Sequence, residues 1–154
     1  AVVLLFITLC FTEISINDAS ATGSGGRSKV FGLGVDTFVG TGGFAVAPSV
    51  AFNIAKIVQF HTGYVVVPMI SGVSIVPLGL RAHFSGDNFA PFIGLGGMLV
   101  QGKIYGIEFS GFAPYGEAGV DYIADNGFNI GGGVTITMAS SVGIGGLVKI
   151  GFFF

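Results

Sequence analysis

Apolar residues recur at every second position along most of this chain, in short runs separated by turn-forming residues, and that period predicts β-strands rather than helices. Eight such runs follow one another: Lys29–Phe38, Phe44–Ile54, Ile57–Val67, Val73–Phe84, Phe89–Val100, Phe112–Ile123, Gly127–Met138 and a terminal run from Val142 to Phe154. In each, one face is large and apolar and the other small or polar. Val76, Leu78 and Leu80, for example, alternate with Pro77, Gly79 and Arg81, and Ile130, Val134 and Ile136 with Gly131, Gly133 and Thr135. The terminal run sets Val148, Ile150, Phe152 and Phe154 against Leu147, Lys149, Gly151 and Phe153.

The charges are sorted by the same parity. Asp36, Arg81, Glu117, Asp121 and Lys149 all fall on the small-residue face, together with the polar Gln59, His61 and His83. A water-soluble sheet would show the reverse, with charges on its exposed side. Eight strands with bulky apolar side chains on one face and mainly Gly, Ala, Ser and Thr on the other fit a narrow closed barrel turned outward to lipid. The expected fold is all-β: an eight-stranded antiparallel up-and-down transmembrane β-barrel over residues 29–154.

Composition strengthens this. The chain of 154 residues is 51% hydrophobic and only 9% charged, with mean hydropathy +0.85, whereas an ordinary soluble domain is about 25% charged. Gly contributes 28 residues, which disfavours helices, since each interior Gly costs a helix about 0.5–1 kcal/mol relative to Ala. The long uncharged stretches Tyr64–Leu80 and Phe128–Val148 could otherwise be membrane helices, but Pro68, Pro77 and the repeated glycines argue against it. A net charge of −2 without a basic cluster gives no footing for nucleic acid. The single Cys10 excludes an internal disulfide and a multi-cysteine metal site.

Residues 1–21 read as the remnant of a signal peptide. Ala1–Cys10 is an uncharged apolar run, shorter than the roughly 20 residues of a spanning helix, and Ala19-Ser20-Ala21 has the small-x-small form of a cleavage site. Residues 22–28 form a polar lead-in. If Ala1–Cys10 is instead retained, it needs lipid, the lumen or a protein partner to cover it.

The stretches Ser74–Phe84 (SIVPLGLRAHF) and Ala90–Gly97 (APFIGLGG), with the aromatic final strand, resemble the small bacterial outer-membrane β-barrel superfamily. There a strand of the type I-P-L-x-L-G-L-R and a strand P-[FY]-[IV]-G-x-G recur as a pair. The resemblance implies residence in the outer membrane of a Gram-negative bacterium, with outer-membrane lipid around the barrel and both termini in the periplasm. It also implies that Ile150, Phe152 and Phe154 form the signal read by the barrel-assembly machinery. On that orientation two aromatic belts are expected: Phe31, Phe52, Phe84, Phe89, Tyr122, Phe128, Phe152 and Phe154 at the periplasmic ends, and Phe38, Phe44, Tyr64, Tyr105 and Tyr115 at the outer ends. The outward connections are 39–43, 68–72, 101–111 and 139–140. Only 101–111 has the length of a contact loop, with Lys103, Tyr105 and Glu108 as candidates.

Members of the superfamily include anchors, surface-binding proteins, narrow channels and a few lipid-modifying enzymes. The spacing His83-Phe84-Ser85 is similar to the H-x-S of the barrel lipid A deacylases, but His83 has lumen parity, lies at the periplasmic end of its strand and is not followed by the family's acidic or amide partner. No catalytic residue and no cofactor are therefore expected. His61 and His83 lie at different heights, so they predict no metal pair. The interior charges read first as a structural filling of paired ions and second as a narrow path for ions or protons. The expected function is a non-enzymatic envelope protein, structural or assembly-related, with a narrow pore as the alternative. It could serve as a packing subunit of a larger complex, held through the lipid-facing wall, where Gly97 and Gly132 would admit a neighbour closely.

Overall fold

The computed structural model describes residues 29–40, 43–67, 72–85 and 87–154. The expected signal remnant 1–21 with Cys10, the lead-in 22–28 and the connection 68–71 lie outside the described residues. Eight strands run in chain order: β1 (Phe31–Gly40), β2 (Gly43–Ala55), β3 (Val58–Gly63), β4 (Val73–His83), β5 (Phe89–Ile104), β6 (Ile107–Ile123), β7 (Phe128–Met138) and β8 (Val142–Phe153). Each pairs antiparallel with the next, and β8 returns to β1, closing the barrel. The closing ladder runs from Gly32↔Phe153 through Asp36↔Lys149 to Gly40↔Gly145. Closure leaves the strands in the body of the barrel without a free edge.

Period 2 sets the two faces as expected. Leu95 is 70% exposed, Val148 52% and Leu80 43%, all pointing outward, while Arg81, Lys149 and Asp121 are 3%, 4% and 0% exposed and point inward. At the end where β1 starts and the carboxy terminus lies, the outer rings of Phe60, Phe52, Phe31, Phe154 and Phe152 follow one another at centroid distances of 6.4, 5.2, 6.3 and 5.2 Å.

Several expectations need correction. Residues 101–111 are not a loop. β5 and β6 continue to a two-residue turn at Tyr105-Gly106, where both residues have positive φ (51° and 85°) and pair Ile104 with Ile107. This is the geometry of a type I′ hairpin turn, whose twist matches that of the strands. Lys103 and Glu108 are cross-strand partners, with Nζ 3.1 Å from Oε1, and Tyr105 forms the fully exposed tip.

Phe38 and Tyr115 do not belong to an outer belt. Both have inward parity, and Tyr115 is buried. Gly97 offers no open notch, because the Phe112 ring lies over it; an aromatic on the neighbouring strand shields the bare glycine backbone. The third strand stops as a continuous ladder at Gly63 rather than Val67. Its next partner, Pro48, has no N–H to give, and pairing resumes only as isolated bridges at Val65 and Val66.

The strands also differ in reach. β7 first meets β6 at Tyr115↔Thr137, so Ile107–Ala113 runs past the end of β7 with only β5 beside it among the described residues. Pro114 explains the stop, since at that position the ladder toward β7 needs an N–H that proline lacks.

Candidate functional site

The interior is filled by two polar clusters set around one aromatic ring. In the first, Arg81 on β4 holds Glu117 on β6 in a two-pronged pair, Nε to Oε1 at 2.7 Å and Nη2 to Oε2 at 3.0 Å. A planar guanidinium matches a carboxylate in this way where an ammonium cannot. Arg81 Nη1 also donates to Gln59 Oε1 at 3.3 Å, and Gln59 donates to Asn53 at 2.9 Å. Asp36 stands 3.9 Å from Arg81 Nη2 and accepts from Ser49 at 3.1 Å. His61 Nε2 lies 3.0 Å from Glu117 Oε1 and 3.3 Å from the Tyr115 hydroxyl.

In the second cluster, Lys149 on β8 donates to Asp121 Oδ2 at 2.5 Å, and His83 Nε2 lies 3.0 Å from the same oxygen. Asp121 Oδ1 is buried without a hydrogen-bond partner. Between the clusters lies Phe92, 1% exposed, with Arg81 and Lys149 at 5.2 and 5.3 Å from its ring centroid. The ring face attracts both cations while separating them. Phe92 was missed in the sequence reading, although its parity with Gly94 places it inside.

Glycines seat these side chains. The register places Gly94 of β5 directly between Arg81 and Glu117, and Gly131 of β7 directly between Asp121 and Lys149. Tyr115 and His61 meet over Gly79 and Gly96, and Phe153 lies on Gly32. With no Cβ in the way, a side chain from one strand crosses flat over the intervening strand to its partner. The glycine-rich inner face and the buried charges are thus one device.

The clusters leave little room. One cavity of about 20 Å³ lies beside Asp36, Arg81 and Lys149, and one of about 10 Å³ beside Glu117, His61 and Tyr115. Neither holds more than about one water. Ile123 and Phe153, 0% and 3% exposed, fill the terminus end of the lumen. The opposite end widens to an apolar mouth of about 230 Å³ lined by Phe38, Val65, Ile75, Pro77 and Met98.

The remaining candidates lie apart. Ser85 of the H-x-S spacing bonds to Asp87 at the rim, while the His83 ring is turned inward to Asp121. Ile150 and Phe152 line the outer face of β8, and Phe154 follows at its end. Lys103, Tyr105 and Glu108 sit at the far tip of the β5–β6 hairpin, remote from the charge clusters. Among the described residues no group of three or more His, Cys, Asp or Glu is arranged to hold a metal ion.

These features define a class: the chain has the fold of the eight-stranded transmembrane β-barrels. Among solved structures it is similar to the N-terminal β-barrel domain of OprF from Pseudomonas aeruginosa, with a TM-score of 0.68, 12% identity, and coverage of 82% of this chain and 98% of that one. Neisserial surface protein A matches with a TM-score of 0.55 and 13% identity over 80% of this chain and 97% of its own. The de novo designed barrel TMB2.3 matches at 0.60 and 11% identity, over 82% and 94%. At these identities the likeness is one of fold. No protein-family model and no curated protein matches the sequence.

Proposed function

We propose that this chain is a non-enzymatic integral barrel of the bacterial outer membrane, with both termini in the periplasm and a structural or envelope-assembly role. The observation that carries the reading is the inversion of faces: an apolar wall outside and ion pairs sealed inside. An outward charge at mid-membrane would cost about 2–4 kcal/mol for Arg or Lys, and the outer wall carries none there. Strands of 10 to 13 residues, such as β1, β2 and β8, span a hydrocarbon layer of about 25 Å when tilted at ~40°.

Two features weigh against a conducting pore. The charges are bound to one another, and Phe92, Ile123 and Phe153 block the axis where an ion would pass. The burial of His83 against Asp121 weighs against a lipid-modifying role. We further propose that Ile150, Phe152 and Phe154 act as the assembly signal and that a protein partner meets the lipid-facing wall or the amino terminus.

Reconstitution into planar bilayers tests the reading. A correctly inserted barrel should show no reproducible single-channel steps. Steps that shift when Arg81 or Glu117 is neutralised would establish the pore instead, and recovery of the protein from the soluble fraction of cells would overturn the membrane assignment.

A further inference from the structure

We infer that the free edge of β6 is a self-pairing site, where a second copy of this chain adds its own β6 in antiparallel register. The ladder fixes which backbone groups are available. The Tyr105-Gly106 turn makes Ile104 and Ile107 a hydrogen-bonded pair, so bonding to β5 alternates from there, through Phe109, Gly111 and Ala113. The intervening residues Glu108, Ser110 and Phe112 point their N–H and C=O groups away from β5. Over Ile107–Ala113 no described strand receives them. Lys103, whose N–H donates to Gly72 on the side away from β6 at 2.9 Å, follows the same alternation.

One register satisfies all of these groups. With Ser110 opposite Ser110, each Glu108 falls opposite Phe112, and the three N–H groups of each copy meet three C=O groups of the other, six bonds in all. Shifting by two residues toward Pro114 sets a residue without an N–H opposite Glu108. In the Ser110-centred register no like charges face each other, and the two Ser110 hydroxyls can bond across the axis. The seven free residues end where β7 of the other copy begins, which stops the pairing after Ile107↔Ala113. The interface is isologous and closes after two copies.

The geometry also says how the copies face. Antiparallel pairing of the same strand turns the two barrel axes in opposite directions. A twofold axis along a shared membrane normal would instead set the strands parallel with their faces reversed, and no regular ladder forms. The hairpin projects about 18 Å beyond β7, at about 2.5 Å of height per residue. The occupant is thus a copy approaching from the opposite side, as between two apposed membranes.

Disulfide trapping of the full chain in detergent tests this without relying on a bilayer. In a Cys10→Ser background, Ser110→Cys should oxidise to a dimer of twice 15.7 kDa, while Asp125→Cys, at the terminus end, should remain monomeric. Adding Glu108→Pro, which removes an edge N–H without breaking a bond to β5, should lower the dimer yield roughly tenfold or more. Ser110→Lys, which sets two like charges on the axis at an exposed outward position, should shift the native mass to monomer. The proposal is overturned if Ser110→Cys stays monomeric, if Asp125→Cys dimerises equally, or if the dimer survives both Glu108→Pro and Ser110→Lys.

Discussion

Arg81 and Glu117 pair across Gly94, the residue that separates them in the sheet. Neither side chain detours around the intervening strand, because at Gly94 there is no side chain to avoid. Both are buried, so the pair is sensitive to the loss of one partner. Arg81→Met should leave Glu117 buried with only His61 against it and destabilise the barrel by about 3–5 kcal/mol. Combining Arg81→Met with Glu117→Leu should recover much of that loss, because an apolar filling removes the desolvation cost of both ions. Urea unfolding of the barrel in lipid vesicles, followed by mobility on unheated gels, checks both outcomes.

The glycine seats predict an unusual ranking of alanine substitutions. A Cβ on Gly94 would stand 2.5 Å from Glu117 Oε1, and one on Gly131 would run into Asp121 Oδ1 and Lys149 Cε. Because those side chains are pinned by their partners, Gly94→Ala and Gly131→Ala should each cost about 1–3 kcal/mol as overpacking. Gly132→Ala faces outward, where the added Cβ meets only the Leu147 carbonyl oxygen at 3.4 Å, and should be close to neutral in the same unfolding assay.

At the hairpin tip, Tyr105 holds φ 51° and Gly106 φ 85°. A left-handed backbone costs a residue with a side chain about 1–2 kcal/mol, and Asn tolerates it better than Tyr. Tyr105→Asn should therefore leave stability unchanged or raise it slightly, whereas Gly106→Val should lower it by about 1 kcal/mol or more. Hydrogen exchange of the amides near the turn would report both.

The block at Phe92, Ile123 and Phe153 can be opened deliberately. Gly at all three positions removes the ring between Arg81 and Lys149, the ring over Gly32 and the buried Ile123 side chain beside it. Single-channel steps should appear in planar bilayers for this triple variant and be absent from the native barrel.

Much of the architecture was legible because period 2 is a local property. It sorted Leu80 from Arg81 and Val148 from Lys149 with no knowledge of their neighbours. Pairing is different: that Arg81 meets Glu117 and Lys149 meets Asp121 depends on the register around a closed circuit, and no local pattern carries it. Phe38 and Tyr115 were misplaced because position near a strand end was weighed above parity, and parity decides. The segment 101–111 read as a loop because the fifth alternating run was ended at Val100 and the sixth begun at Phe112. Its real signal was a Tyr-Gly turn flanked by oppositely charged partners at Lys103 and Glu108.

The interior ion pairs join strands far apart in sequence: Arg81 lies 36 residues from Glu117, and Asp121 lies 28 from Lys149. No single hairpin neutralises its own interior charges. β3 and β4 bring Arg81 without a carboxylate, and β7 and β8 bring Lys149 alone. A half-inserted sheet would carry these naked charges into hydrocarbon, at a cost that grows with depth. Strand insertion and the meeting of β1 with β8 are therefore coupled into one cooperative event, and a chain halted between hairpins has no stable resting place in the bilayer.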